Sequence, residues 1–120
     1  MSSGEPRTTG DAPIHPLATP VAVESLLDYQ AGSVVSRTLI KKPTGTLTLF
    51  AFDQGEGLSE HSTPHDAVVQ VLDGTVNITI AGEPHRVSAG EGLLLPAGIP
   101  HGLTAVTPFK MLLIMIREPA

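Results

Sequence analysis

The sequence of 120 residues contains no cysteine and no tryptophan, and only 3% of its residues are aromatic. The absence of cysteine excludes disulfide bonds, thiolate metal sites and a cysteine nucleophile. The scarcity of aromatic residues leaves Val, Leu, Ile and Ala to build a core. Because 41% of the residues are hydrophobic, this composition still supports one packed domain.

Basic residues are also few, with seven Lys and Arg against 12 Asp and Glu and a net charge of −5. This balance argues against nucleic acid and anionic membrane surfaces as partners. The longest apolar run, Met111–Ile116, has six residues, whereas a membrane-spanning helix needs about 20. The first residues contain no apolar signal region. We therefore expect a cytoplasmic protein with no membrane or nucleic-acid partner.

Glycine and proline, in contrast, are abundant, with 12 and 11 copies. They break helices and are typical of a small β domain with many turns. Residues 1–20 have four prolines and no apolar period, which predicts a flexible tail before a domain spanning residues 21–120. A short amphipathic helix is expected over residues 21–29. From residue 33, short apolar runs between turn signals predict eight to ten strands in an all-β sandwich or barrel.

Two segments of this β pattern carry specific expectations. The dipeptide Asp73-Gly74 suits a type I′ hairpin turn. The last predicted strand, Phe109–Arg117, is apolar on both faces, so it must be covered on both sides. Because no long helix is available to cover it, we expect a homodimer.

Five histidines are the main candidates for site chemistry. His15 in the tail and His85 beside a proline are expected to have no site role. His61 and His65 share one face of an extended strand, but they lie about 13 Å apart on a straight strand. Two ligands of one metal ion are only about 3 Å apart, so a shared ion requires a bend, which Pro64 allows. Spacing alone does not distinguish a pair of metal-ligating histidines from a structural or surface pair.

Two segments resemble the two motifs of the cupin superfamily, in particular small single-domain bacterial cupins. The segment GEGLLLPAGIPH matches the second motif, and EHSTPHDAVVQVLDGTVNITIAG matches part of the first. The matching positions are Gly55, His61, Gly74, Gly90, Pro96, Gly98 and His101. The resemblance covers about residues 33–117. It implies a double-stranded β-helix, or jelly-roll barrel, that typically holds a divalent metal between the motifs.

The chain departs from these motifs at the metal ligands. Thr63 occupies the second histidine position of the first motif, Ala67 or Val68 the glutamate position, and Ala105 the asparagine position of the second motif. None of these side chains is a usual metal ligand, so two of the four ligands that the resemblance implies remain.

His65 is the best replacement for a third ligand, which gives a predicted metal site of His61, His65 and His101. Imidazoles suit Fe, Mn, Ni and Zn. Asp66 and Gln70 are weaker candidates, because alternation places them on the face opposite Ala67.

Three functions are consistent with this sequence. The first is a metal-dependent dioxygenase- or isomerase-like enzyme acting on a small organic substrate, although no residue is an obvious general base. The second is a non-catalytic protein that binds or senses a small molecule and has a degenerate metal site. The third is a barrel retained for assembly. The resemblance does not identify a substrate.

Overall fold

Two antiparallel sheets face each other in this computed structural model, which describes residues 15–118. The five-stranded sheet has the order β1-β2-β9-β4-β7, and the four-stranded sheet has the order β3-β8-β5-β6. The strands are β1 (Val34–Lys42), β2 (Gly45–Phe52), β3 (Gly57–His61), β4 (Asp66–Asp73), β5 (Thr75–Ile80), β6 (Glu83–Ser88), β7 (Gly92–Leu95), β8 (His101–Ala105) and β9 (Phe109–Ile116). This architecture confirms the predicted all-β jelly-roll fold. None of the helices in residues 15–118 has the length and apolar character needed to cross a membrane.

The core lies between the sheets and follows the two-residue alternation of the strands. On β4, Ala67, Val69 and Val71 point inward and are buried, while Asp66 and Val68 point outward and are exposed. Phe52 and Phe109 are fully buried and stack with their ring centroids 4.7 Å apart. Aliphatic side chains therefore fill most of the core, as the composition predicts.

The type I′ turn occurs at a different place from the one predicted. Ala81 and Gly82 have φ angles of 51° and 80°, and they connect the paired residues Ile80 and Glu83, which is the two-residue hairpin geometry. The predicted hairpin at Asp73-Gly74 is wrong, because β4 and β5 belong to different sheets. Gly74 instead carries the chain from one sheet to the other.

The extended segment that sequence patterning places around His61 and His65 is interrupted. β3 ends at His61, residues 62–65 form a bend, and β4 begins at Asp66. The bend that a shared site requires is therefore present at Pro64. β3 itself was not predicted, since all five of its residues are exposed and give no apolar alternation.

The N-terminal helix is a single 3₁₀ turn, Val23–Leu26, rather than an amphipathic helix over residues 21–29. Such a short segment forms only where it is docked. Here Arg37 Nη1 donates to the Leu26 carbonyl at 3.1 Å, and Lys110 Nζ donates to the Glu24 carbonyl at 2.7 Å. The segment thus lies on the outer face of the five-stranded sheet.

The predicted flexible tail falls largely outside the described residues, which begin at His15. A second 3₁₀ turn follows at Pro16–Ala18. His15 Nε2 donates to the Leu39 carbonyl at 2.6 Å, so this histidine contacts β1. The boundary at residue 20 stays a prediction.

An apolar row crosses the rest of this outer face. Register pairs Ile40 with Leu47, Leu47 with Ile114, Ile114 with Val68, and Val68 with Leu94, and directly paired residues share a face. Ile40, Val68 and Leu94 are 42%, 36% and 51% exposed. The N-terminal segment therefore covers one end of β9, and the apolar row remains exposed at the other.

Candidate functional site

A cavity of about 50 Å³ lies between the two sheets. Its lining contains three polar side chains, His61, Thr63 and His101. The rest of the lining is Gly102 and seven apolar side chains: Leu58, Ala67, Leu95, Leu103, Met111, Leu113 and Met115. Such an apolar cavity with a few converging polar groups is the usual form of a small-molecule site.

His61 and His101 face each other across two neighbouring strands. They are directly paired in the β3–β8 ladder, and their ring centroids are 4.6 Å apart with the planes inclined at 64°. His101 is buried, whereas His61 is exposed. The pair therefore reaches from the buried wall of the cavity to the solvent-exposed surface.

Both rings are oriented by a backbone carbonyl two residues earlier. His61 Nδ1 lies 2.9 Å from the Ser59 carbonyl oxygen, and His101 Nδ1 lies 3.2 Å from the Ile99 carbonyl oxygen. A carbonyl only accepts, so Nδ1 is the protonated nitrogen of each neutral ring and Nε2 has the lone pair. This is the arrangement in which an imidazole ligates a metal ion or accepts a hydrogen bond through Nε2.

His65 lies in the bend after β3 and is not among the residues that line the cavity. Its backbone is held by Thr63, whose Oγ1 donates to the His65 carbonyl at 3.0 Å and accepts from the His65 amide at 3.3 Å. Within residues 15–118, no three His, Cys, Asp or Glu side chains converge on a common metal position. The structure brings His61 and His101 together and leaves His65 outside the cavity lining.

The two positions at which the usual ligands are replaced do face the cavity. Thr63 and Ala67 both line it together with His61 and His101, which confirms the predicted orientation. A hard divalent ion prefers carboxylate and other oxygen ligands, and no Asp or Glu lines this cavity. The residues present therefore do not fit the four-ligand set that the resemblance implies.

Asp66 and Gln70, the weaker candidates, point to the outer face as alternation predicts. Asp66 Oδ1 accepts a hydrogen bond from the Ala97 amide at 2.8 Å, and Gln70 Nε2 lies 3.5 Å from the Glu91 carbonyl oxygen. The Gly98 amide donates to the Thr63 carbonyl at 2.7 Å. The Ala97 and Gly98 contacts connect the start of β4 and the segment before it to the segment before β8, and so hold the two halves of the site together.

The other histidines lie away from the cavity lining. His85 is half-buried on β6 opposite Ile78. Two lining residues, Met111 and Met115, were not identified from sequence, although the alternation on β9 that places Phe109 inward also points them inward.

Comparison with known proteins assigns the fold to a family. The cupin domain matches residues 48–116. A conserved protein of unknown function from Streptococcus pyogenes is 37% identical, with a TM-score of 0.82 over 86% of this chain and 90% of that one. A cupin 2 conserved barrel domain protein from Leptotrichia buccalis is 41% identical, with a TM-score of 0.76 over 78% of this chain and 46% of that one.

Two further comparisons gave one similar structure and no curated match. A cupin superfamily protein from Desulfitobacterium hafniense is 27% identical, with a TM-score of 0.81 over 86% of this chain and 94% of that one. No curated protein matches the sequence. The matched domain, the two facing sheets and the similar structures together show that the chain belongs to the cupin family.

Proposed function

We propose that this cupin binds a small, largely apolar organic molecule in its barrel without catalysing a reaction. The observation that carries the proposal is the cavity lining, in which two imidazole Nε2 acceptors stand against seven apolar side chains. A ligand with one O–H or N–H group would donate it to Nε2 and bury its apolar part. A cavity of about 50 Å³ is smaller than the roughly 150 Å³ that accommodates benzene. Only a short apolar group would therefore enter, and the rest would remain at the mouth beside His61.

The second candidate is the metal-dependent dioxygenase- or isomerase-like enzyme, with Fe, Mn, Ni or Zn held by His61, His65 and His101. It is favoured by the Nδ1 contacts to carbonyl oxygens, since metal-ligating histidines usually donate their other N–H in this way. It requires His65 to turn into the cavity. A bound metal would be found by elemental analysis of protein purified without a histidine tag.

The internal methionines allow a direct test of the organic ligand. Protein labelled with [¹³C-methyl]methionine has three methionines, and two of them report on the cavity. We expect short alcohols and amines to shift the Met111 and Met115 signals and to bind more tightly than ethers of equal size, because ethers have no donor for Nε2. His101→Ala should remove that difference.

A pair of variants provides the control. Ala67→Leu adds three carbon atoms inside the cavity and should abolish the shifts, whereas Val68→Leu adds one carbon atom on the outer face and should retain them. The proposal is overturned if alcohols and ethers bind equally, or if both variants behave like the wild type.

We also propose that the chain forms a homodimer through the apolar row on the five-stranded sheet. Ile40, Val68 and Leu94 in this row are all exposed, and a contiguous apolar patch on a sheet face is typical of a protein–protein contact. A cytoplasmic location stays a prediction.

A further inference from the structure

A groove of about 570 Å³ lies on the outer face of the four-stranded sheet, on the opposite side of that sheet from the barrel core. Its volume falls within the range of about 300–1,000 Å³ that is usual for small-molecule sites. Five polar side chains from three neighbouring strands line it: Ser59, Glu60, Asn77, Thr79 and Thr104. None of them lines the barrel cavity, so the two sites have different polar groups.

An irregularity in β3 directs two consecutive side chains into this groove. The pairing of β3 with β8 is interrupted between Leu58 and His61. Ser59 and Glu60 therefore both lie opposite a single residue of β8, Gly102. Two residues opposing one form a β-bulge, which redirects side chains and is common beside functional sites. The bulge thus places a hydroxyl and a carboxylate side by side in the groove.

Gly102 leaves a slot in the floor of the groove. It has no side chain, and an added Cβ would lie 3.2 Å from the backbone nitrogen and the Cα of Glu60. On the other side of Gly102, its direct partner on β5 is Thr79. Because neighbouring strands are about 4.8 Å apart, β3 and β5 are separated by roughly 10 Å. Glu60 and Thr79 therefore stand on opposite sides of a position that has no side chain.

The charge of the groove is negative, and the basic residue of the sheet is engaged elsewhere. Among the residues of the four strands, all of which the structure describes, Arg86 is the only Lys or Arg. It lies on β6, three strands from β3, and its Nε donates to Asn77 Oδ1 at 3.3 Å. The Thr79 hydroxyl donates to the Gly102 carbonyl at 3.4 Å, so its oxygen can still accept a hydrogen bond. The slot thus presents acceptors beside the Glu60 carboxylate.

We propose that this groove binds a small primary amine in its protonated form, with the ammonium group in the slot. An ammonium has three N–H donors and no acceptor, which matches the Glu60 carboxylate and the hydroxyl oxygens of Ser59 and Thr79. Asn77 and Thr104 are directly paired and line the groove, and they contact the rest of the molecule. The net charge of −5 attracts such a cation to the protein.

A divalent metal ion does not fit the same groove. Glu60 is its only carboxylate, whereas an ion such as Ca²⁺ takes about six to eight oxygen ligands, several of them carboxylates. The inference therefore goes beyond the proposed ligand of the barrel and uses none of the polar groups assigned to that ligand.

The test is a titration of ¹⁵N-labelled protein with n-butylamine at neutral pH, where an alkylamine is protonated like a lysine side chain. The amide signals of Asn77, Thr79 and Thr104 should shift and saturate. 1-Butanol has the same chain without the charge, and its affinity for the groove should be lower by about fivefold, the upper range for an exposed charge pair. Added salt should weaken binding of the amine.

A pair of variants locates the charge that is recognised. Glu60→Gln keeps the shape of the side chain, removes its charge and should lower the affinity for the amine about fivefold. Glu83→Gln is the matched control, since it makes the same change of net charge at an exposed residue of the same sheet. Glu83 is paired with Ile80 and does not line the groove, so this variant should bind like the wild type.

Equal affinities of the wild type for the amine and the alcohol overturn the inference, and this comparison does not depend on how any variant folds. Equal losses in Glu60→Gln and Glu83→Gln overturn it too. Tighter binding of methyl glucoside than of the amine would assign the groove to neutral polyols, and groove signals that move with protein concentration alone would assign it to a second copy; either result refutes the amine. The amine shifts should persist in His101→Ala, so the proposed ligand of the barrel stands or fails separately.

Discussion

Thr63 and Ala67 are the residues that separate this cavity from the metal centre implied by the cupin motifs. Both face the cavity, yet neither contributes a usual metal ligand. The hydroxyl of Thr63 is already engaged by the backbone of His65. Substitutions at these two inward-facing positions would therefore change the chemistry of the site.

We expect the double variant Thr63→His with Ala67→Glu to bind divalent ions orders of magnitude more tightly than the wild type. It adds an imidazole and a carboxylate to the existing pair, and these are usual ligands of such ions. Binding should weaken as the pH falls through the titration range of histidine, because each imidazole must be neutral to ligate. Calorimetric titration with Zn, Ni and Mn measures both effects.

Two further proteins control this experiment. Adding His101→Ala should abolish the gain. Placing the glutamate at Val68, which points outward, should give a much smaller gain than placing it at Ala67. If the double variant binds no more tightly than the wild type, the orientation of positions 63 and 67 is wrong.

The sequence could predict the orientation of individual residues wherever a strand alternates. His61, His101 and the outward positions of Asp66 and Gln70 follow from motif spacing and from two-residue alternation. The position of His65 could not be predicted, because it depends on the backbone of a bend that Thr63 holds from its side chain. Met115 was missed because a methionine in an apolar strand is usually a core residue.

At the scale of the element, Gly74 shows how a turn is fixed by its neighbours. Its φ is +76°, and a Cβ at this position would collide with the Pro108 carbonyl oxygen and lie 2.9 Å from the Cβ of Phe109. Gly82 has a similar φ of +80° but no atom within 4 Å of an added Cβ. The two glycines thus separate the cost of the backbone conformation from the cost of a collision.

We expect Gly82→Ala to lower the free energy of unfolding by about 1 kcal/mol, the usual cost of a positive φ for alanine. Gly74→Ala adds a collision in a packed region and should cost about 3 kcal/mol in total. Urea unfolding of both variants measures the difference. Equal losses would mean that β9 shifts to accommodate the methyl group at little cost.

The N-terminal segment is held by a small polar cluster on the outer face. The Tyr29 hydroxyl donates to Asp73 Oδ2 at 2.5 Å, and Lys110 Nζ lies 4.8 Å from the centre of the Tyr29 ring. Partial burial and the neighbouring carboxylate of Asp73 raise the pKa of Tyr29 well above its usual value. The folded protein therefore keeps the phenol proton more tightly than the unfolded chain does.

Tyr29→Phe should lower the free energy of unfolding by about 1 kcal/mol at neutral pH, through the loss of one hydrogen bond. A raised folded-state pKa contributes stability below the ordinary tyrosine pKa of about 10 and loses it as the pH rises above that value. The wild type should therefore lose stability more steeply than Tyr29→Phe above pH 10. Since Asp73 and Lys110 are present in both proteins, parallel pH curves would show that the phenol does not contribute.

Most elements could be predicted because their apolar residues alternate between turn signals. β3 could not, since its residues are exposed on both faces and only pairing with β8 makes it a strand. The turn at Asp73-Gly74 was assigned to the wrong type because local sequence does not specify whether consecutive strands share a sheet. The short N-terminal helix is likewise fixed by docking contacts from Arg37 and Lys110.

At the scale of the whole molecule, the exposed apolar row is the surface proposed for the homodimer. We expect the wild type to be a dimer by light scattering at tens of micromolar. Val68→Lys combined with Leu94→Lys should give a monomer, because it places two neighbouring charges at one end of the row. A monomeric wild type would exclude the proposed homodimer.

Ile99 provides the matched surface control for this experiment. It is 37% exposed, close to the 36% of Val68, but it lies outside the five strands that form the row. Ile99→Lys should therefore remain dimeric. Dissociation by this variant as well would assign the contact to a different surface.

The pairing of His61 with His101 would also couple ligand binding to the local opening of β3. β3 is an edge strand that is paired only with β8, with a register irregularity between Leu58 and His61. Such strands open at little free-energy cost and exchange their amide hydrogens early. A ligand that contacts both rings would hold the last residue of this strand against the buried His101. Amide hydrogen exchange across β3 should therefore slow as the ligand-bound fraction of the protein rises. Release of the ligand would then be timed by the opening of one strand.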